Sequence, residues 1–215
     1  MSKPILFGYY RSSAAYRVRT ALVWKGIDYE TRPIHLVKGE HRAEGYLDLN
    51  PQGQVPVLVI DGHTLAQSMA ILEYIEETHP EPALLPKDPA GRAIVRWMAQ
   101  LVVADIHPIN NMRIGNYLRG RLSQGDEAVQ AWMRHWMAEG FRALEKMVVI
   151  HGGTYCHGDA VSLADLCLVP QIYNARRFEL DLSEFPTLVG IDERCRALPA
   201  FASAHPDRQV DCPVS

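Results

Sequence analysis

The stretch YYRSSAAYRVR, residues 9–19, sets two adjacent serines between arginines, after the apolar run PILFGYY and before a helical pattern. PILFGYY reads as a short buried strand. From Ser13 to Lys25 the period turns helical, with Val18, Ala21 and Leu22 on one face and Gly26 as the stop. Ser12 and Ser13 therefore lie where a strand hands over to a helix. An N-cap accounts for one serine. It does not account for the second, nor for Arg11 just before. Serine is a poor nucleophile without a base, and the stretch holds no histidine, lysine or carboxylate. A helix N-terminus, however, is a seat for an anion, and a thiolate is such an anion. Lowering a thiol pKa of ~8.5 by about two units takes roughly 2.7 kcal/mol of preferential thiolate binding. A hydroxyl and a helix N-terminus together can supply it.

Outward from this stretch, DYETRPIHL is a second strand candidate, and VPVLVIDGHTLAQ is a hairpin. Its strands run over 56–60 and near 64–66, joined by an Asp61–Gly62 turn. SMAILEYIEETHP is a helix with Ile71, Leu72 and Ile75 inward, opened by Gln67 and capped by Ser68. That helix start is a second anion seat, here with an amide beside it. Pro56 stands before a central-looking strand. Two readings fit it: a cis Val55–Pro56 bond that turns Val55 outward, or a simple edge-strand start. Strand, helix, strand, hairpin, helix makes residues 1–82 a small α/β domain.

HPEPALLPKDPAG, with four prolines, contains a linker over 83–89. Beyond it strand signals vanish, and residues 90–215 read as an all-helical domain. Residues 90–119 carry helical periodicity through Ile94, Trp97, Met98, Leu101 and Val102, bent near Pro108. Residues 126–149 and SLADLCLVPQIYNARRF give two more helices, the latter opened by a Ser162–Asp165 capping box. Shorter helical pieces fill 184–204.

The chain has 215 residues, 47 % hydrophobic, with a formal charge of −3. That balance gives no general attraction to nucleic acid or an anionic membrane. No run approaches a membrane span or a signal peptide, so a cytoplasmic location is expected. Cys156, Cys167, Cys195 and Cys212 include no Cys-x-x-Cys pair. HGGTYCH reads as a glycine-rich loop, and no metal is assigned.

Taken together, SSAAYRVR, NPQGQVPVL, QSMAI and SLADLCLVPQ resemble the zeta-class glutathione transferases, the maleylacetoacetate isomerase family, over nearly the whole chain. DIHPINN and VPQIYNARRF further resemble the bacterial branch, which includes maleylpyruvate isomerases. The resemblance implies a thioredoxin-like N-terminal domain, a helical C-terminal domain, a homodimer and glutathione as cofactor. It places Ser12 at the glutathione sulfur, with Ser13, Ala14, Ala15, Tyr16 and Arg17 lining the same site. His41 and the Val55 backbone lie along the tripeptide, and Gln67 and Ser68 hold its γ-glutamyl carboxylate. His107, Asn111, Met112 and Arg113 join the cofactor side from the helical domain.

His107, Asn110 and Asn111 fall on one face of the bent helix, a pattern that a solvated polar stripe also explains. The resemblance turns Arg11, Arg113 and one of Arg176 and Arg177, with Arg177 favoured, toward a dicarboxylate substrate. It implies cis–trans isomerisation of a maleyl diketo acid: maleylacetoacetate in tyrosine and phenylalanine catabolism, or maleylpyruvate in gentisate catabolism. A conjugating transferase and a noncatalytic interaction module are the rivals. Where the family often has a cysteine after the serine pair, this chain has Ala14. All sulfur chemistry must then come from glutathione, the chain's own cysteines lying far along the sequence.

Overall fold

The computed structural model describes residues 3–213. In chain order its main elements are β1 (Ile5–Gly8), α1 (Ser13–Trp24), β2 (Glu30–Pro33), α2 (Glu44–Leu47), β3 (Val57–Ile60), β4 (His63–Ala66) and α3 (Ser68–Thr78). There follow α4 (Pro89–Gln100), α5 (Met112–Gly120), α6 (Asp126–His151), α7 (Leu163–Arg177), α8 (Pro186–Arg196) and α9 (Pro199–Ala204). The chain divides into two compact units. The first comprises residues up to Ala83 together with those from Ala197 onward, and the second is Leu84–Arg196.

In the first unit the described strands form one four-stranded sheet in the order β2-β1-β3-β4. β1 pairs parallel with β2 and antiparallel with β3, which pairs antiparallel with β4. This is the mixed sheet of a thioredoxin-like domain. The hairpin turn is the one the Asp-Gly pair demands, since Asp61 (φ 52°) and Gly62 (φ 80°) both take positive φ. Val57 and Leu58 of β3, Val18, Ala21 and Leu22 of α1, and Ile71, Leu72 and Ile75 of α3 are completely buried. They are the core of this unit.

α1 is buried on more than the one face the periodicity predicts: Arg17, Arg19 and Thr20 are enclosed as well. The reason is α9. Tyr16 Oη donates to the Phe201 carbonyl at 3.1 Å, and Arg19 Nε to the Ala204 carbonyl at 3.0 Å. The sequence reading placed everything from residue 90 to 215 in the helical domain. By their contacts the described residues from Ala197 onward group with the first unit instead. Lys25 closes the far end of α1. Its Nζ donates to Glu76 Oε2 (2.6 Å) and to the carbonyls of Pro82 (2.8 Å) and Pro80 (3.2 Å). The Lys25 side chain is wholly buried.

The second unit is helical. The single bent helix expected over 90–119 is instead broken. α4 runs into a π-helical segment (Leu101–Ile106) and a 3-10 turn (His107–Ile109), and α5 starts afresh. Pro108 has no N–H to continue the ladder. Asn111 caps the new helix, its Oδ1 accepting from Arg113 N (3.1 Å) and Ile114 N (3.4 Å). Val95, Met98, Ala99 and Val102 face inward, and Trp97 is 58 % exposed. α7 carries the capping box as read: Asp165 Oδ2 accepts from Ser162 N and Oγ, both at 2.8 Å. The other oxygen, Oδ1, accepts from Cys156 N at 2.9 Å, which ties the HGGTYCH loop to the start of α7. Burial raises the Asp165 pKa, and these hydrogen bonds oppose that rise.

Candidate active site

In the first unit two helix N-termini carry serines. Ser12 is the N-cap of α1, its Oγ accepting from Ala15 N at 3.2 Å. Capping uses a lone pair and leaves the hydroxyl proton to give. Cap and anion support are thus compatible in one side chain. The chain reaches Ser12 through a tight turn, with Ser12 N donating to the Tyr9 carbonyl at 2.9 Å. Arg11 stands over two aromatic rings, its Cζ 5.3 Å from the centre of Tyr10 and 5.9 Å from that of Tyr9. Such cation–π contacts hold a guanidinium without neutralising it.

At the second N-terminus the assignment of the cap changes. Gln67 is the N-cap of α3 and Ser68 the first helical residue. Gln67 has φ 68°, an uncommon conformation for a side chain of its type and a frequent mark of functional positions. Its Nε2 donates to Gln52 Oε1 at 2.7 Å. Ser68 is 4 % exposed, and its Oγ accepts from Arg17 Nη1 at 3.1 Å. Arg17, which the resemblance placed among residues lining the glutathione site, has no exposed area. It stands behind Ser68, whose hydroxyl it contacts. Ala15 and Tyr16 are likewise enclosed, Ser13 is buried and Ala14 half-buried.

The Val55–Pro56 bond is cis, the first of the two readings. Just before it, the Gln54 carbonyl accepts from Tyr46 Oη (2.6 Å) and Asn50 Nδ2 (2.8 Å). These two side chains pin the loop that carries Val55. Sequence reasoning missed both, although the Asn50–Pro51 pair is a turn signal. A Cβ on Gly53 (φ 57°) would come within 2.8 Å of the His41 carbonyl, so only glycine lets the two segments pack. The His41 ring is held below the usual histidine pKa, chiefly by burial and then by the neighbouring Arg42 charge.

In the second unit, His107 lies in the 3-10 turn and Asn111 at the start of α5, so they do not share a face of one helix. Asn110 is no solvated stripe: it is 3 % exposed and donates to the Ile106 carbonyl at 2.9 Å. Met112 and Arg113 are exposed in the first turn of α5. At the end of α7 the two arginines differ. Arg176 is held by buried Asp192 at 2.6 Å, an oxygen it shares with Arg196. Arg177 Nη1 donates to Asn174 Oδ1 at 3.0 Å, and its Cζ lies 5.4 Å from the Phe178 ring centre. Among the described residues no cluster suits a metal ion.

The cysteines also differ. Cys156, Cys167 and Cys195 are buried, and burial raises the thiol pKa of Cys156 and Cys195. Cys212 is half-buried. Brief alkylation of the native protein is therefore expected to label Cys212 first. Peptide mapping by mass spectrometry checks this, and early label on Cys156, Cys167 or Cys195 would contradict the burial.

Residues 2–77 match the family described as Glutathione S-transferase, N-terminal domain. A probable maleylacetoacetate isomerase of Vibrio cholerae is 50 % identical over 98 % of this chain and 99 % of its own. A holo maleyl pyruvate isomerase, a bacterial zeta-class glutathione S-transferase, superposes with a TM-score of 0.96 at 43 % identity, over 97 % and 100 % of the two chains. The maleylacetoacetate isomerase of Anaeromyxobacter dehalogenans, solved with glutathione in its active site, gives 0.89 at 48 % identity over 98 % of each chain. With its mixed sheet, cis-proline loop and serine-capped first helix, this chain belongs to the maleylacetoacetate isomerase family of zeta-class glutathione transferases.

Proposed function

We propose that this protein is a glutathione-dependent cis–trans isomerase of a maleyl diketo acid, with maleylacetoacetate as its substrate. The observation that carries the reading is the pair of serine-bearing helix N-termini in one unit, Ser12 on α1 and Ser68 on α3. They suit two anionic groups of glutathione, the thiolate of its central cysteine and its γ-glutamyl carboxylate. Bound glutathione supplies a thiolate that adds reversibly to the cis double bond, allowing rotation before it leaves again. Ser12 donates its hydroxyl proton toward the sulfur and so favours thiolate over thiol. Ser68, backed by the Arg17 cation, and the Gln67 turn receive the carboxylate. Val55 offers its backbone and His41 its ring along the tripeptide.

Arg11, Arg113 and Arg177 orient the substrate carboxylates and stabilise the negative charge that develops on its oxygen. The Arg176–Asp192 pair supports Arg177 as the member of that duo assigned to substrate. In this reading Ser12, His41, Val55, Gln67 and Ser68, the residues assigned to glutathione here, all belong to the first unit. The reading extends to a homodimer and to a cytoplasmic location. Among the described residues no helix is long and apolar enough to cross a membrane. Light scattering at twice the chain mass tests the dimer.

Maleylpyruvate is the second reading, favoured by the close superposition on a maleyl pyruvate isomerase. Turnover of both acids at glutathione far below substrate, with free thiol followed in parallel, tests the proposal. Sustained turnover with constant thiol supports it. Stoichiometric thiol loss would indicate a conjugating transferase, and no turnover at all a binding module. Arg113→Ala is expected to lower kcat/KM on the diketo acid about 10- to 100-fold while sparing conjugation of an uncharged electrophile. Equal losses on both would remove Arg113 from carboxylate recognition.

A further inference from the structure

The turn of Tyr9–Ser12 delivers both Arg11 and Ser12, yet it is fixed largely by residues outside it. Tyr10 N donates to Asp211 Oδ2 at 2.9 Å, across a separation of 201 residues. The Tyr10 carbonyl accepts from Arg19 Nη2 at 3.0 Å, and the Tyr9 carbonyl from Arg19 Nη1 at 3.5 Å. Arg19 is 2 % exposed, and its Nε reaches the Ala204 carbonyl at 3.0 Å. The N–H and C=O of one turn residue are thus held by Asp211 on one side and Arg19 on the other. Arg19 itself is anchored in the C-terminal segment. The Tyr10 ring underlies the Arg11 guanidinium, so the same grip sets the base on which Arg11 stands.

We propose that Arg19 and Asp211 are positioning residues for the reaction, which brace the Tyr9–Ser12 turn so that the Ser12 hydroxyl meets the glutathione sulfur. The proposal rests on the role given to Ser12 above. Asp211 touches no reacting atom; it acts through the Tyr10 peptide. Its effect on the thiol has a diagnostic sign. Removing a nearby negative charge by itself lowers a thiol pKa, whereas misplacing a hydroxyl that supports the thiolate raises it.

The test uses the full chain with Asp211→Ala, Asp211→Asn and Arg19→Lys, and Ser12→Ala as the reference. For each variant the pKa of the bound glutathione thiol is titrated by ultraviolet absorbance, and kcat and the KM for glutathione are measured. Asp211→Ala is expected to raise the thiol pKa and to lower kcat about 5- to 10-fold, with KM changed less than about twofold. Asp211→Asn should restore both, because an amide oxygen accepts the same N–H. Arg19→Lys, unable to span the Tyr10 and Ala204 carbonyls together, should resemble Asp211→Ala. An unchanged or lowered thiol pKa in Asp211→Ala and Arg19→Lys, beside a raised one in Ser12→Ala, would overturn the brace alone. Failure of Asp211→Asn to rescue would do the same. An unchanged thiol pKa in Ser12→Ala would overturn the Ser12 reading itself, and the brace with it.

Discussion

Ser12→Ala is expected to bind glutathione within about threefold of the natural protein and to lose roughly 90–99 % of isomerase activity at pH 7, through a bound-thiol pKa raised by one to two units. The tripeptide is gripped at several points in the proposed site, and only Ser12 is assigned to its sulfur. Its Oγ already accepts from Ala15 N, so the substitution also removes a helix cap, at a stability cost of about 0.5–2 kcal/mol. That cost does not vary with pH in the way the activity should. A thiol with a raised pKa is mostly protonated at pH 7 and ionises as pH climbs through the new value. The deficit against the natural protein should therefore shrink between pH 7 and pH 9. A deficit constant across that range would show that Ser12 works by some means other than thiolate support.

The second large effect is on stability. Lys25→Met is expected to destabilise the first unit by about 3–5 kcal/mol, because it leaves the Glu76 carboxylate buried without its counter-ion. The Pro80 and Pro82 carbonyls lose their donor at the same time. Hydrogen exchange of the β1 and β3 amides reads this unit directly. The double variant Lys25→Met/Glu76→Leu should regain much of the loss, since an apolar pair carries no stranded charge. A loss below about 1 kcal/mol in the single variant would mean that water reaches Glu76 and that the pair is not closed.

Apart from the short α2 (Glu44–Leu47), which was not read, the order of elements in the first 80 residues was legible because each of the others carries a local signal. The apolar runs PILFGYY and VPVLVI mark β1 and β3, Asp61–Gly62 the hairpin, and Gly26 the end of α1. The break between α4 and α5 was not read, because apolar spacing continues through the π-helical segment and a lone Pro108 looks the same for a bend as for a stop. Asn111 was the overlooked clue, as a capping residue just ahead of the amphipathic stretch MRIGNYL. Ser12 and Gln67 were legible as helix starts. The burial of Arg17 behind Ser68 was not legible, because the motif does not say which of its residues face inward. Tyr46, Asn50, Arg19 and Asp211 were invisible as partners, since contacts with backbone carbonyls or across 201 residues leave no period in the sequence.

The first unit draws on both ends of the chain. On the ribosome, α1 and the sheet emerge early, but the carbonyls of Phe201 and Ala204 that receive Tyr16 and Arg19 come last. The whole of Leu84–Arg196 is made in between, which at 5–20 residues per second takes roughly 6–23 s. For that interval the nascent domain has its sheet and the helices α1, α2 and α3 but lacks the segment that covers Arg19. A ribosome stalled before residue 197 should therefore display a first unit that is open to protease around α1, and release of the finished chain should close it.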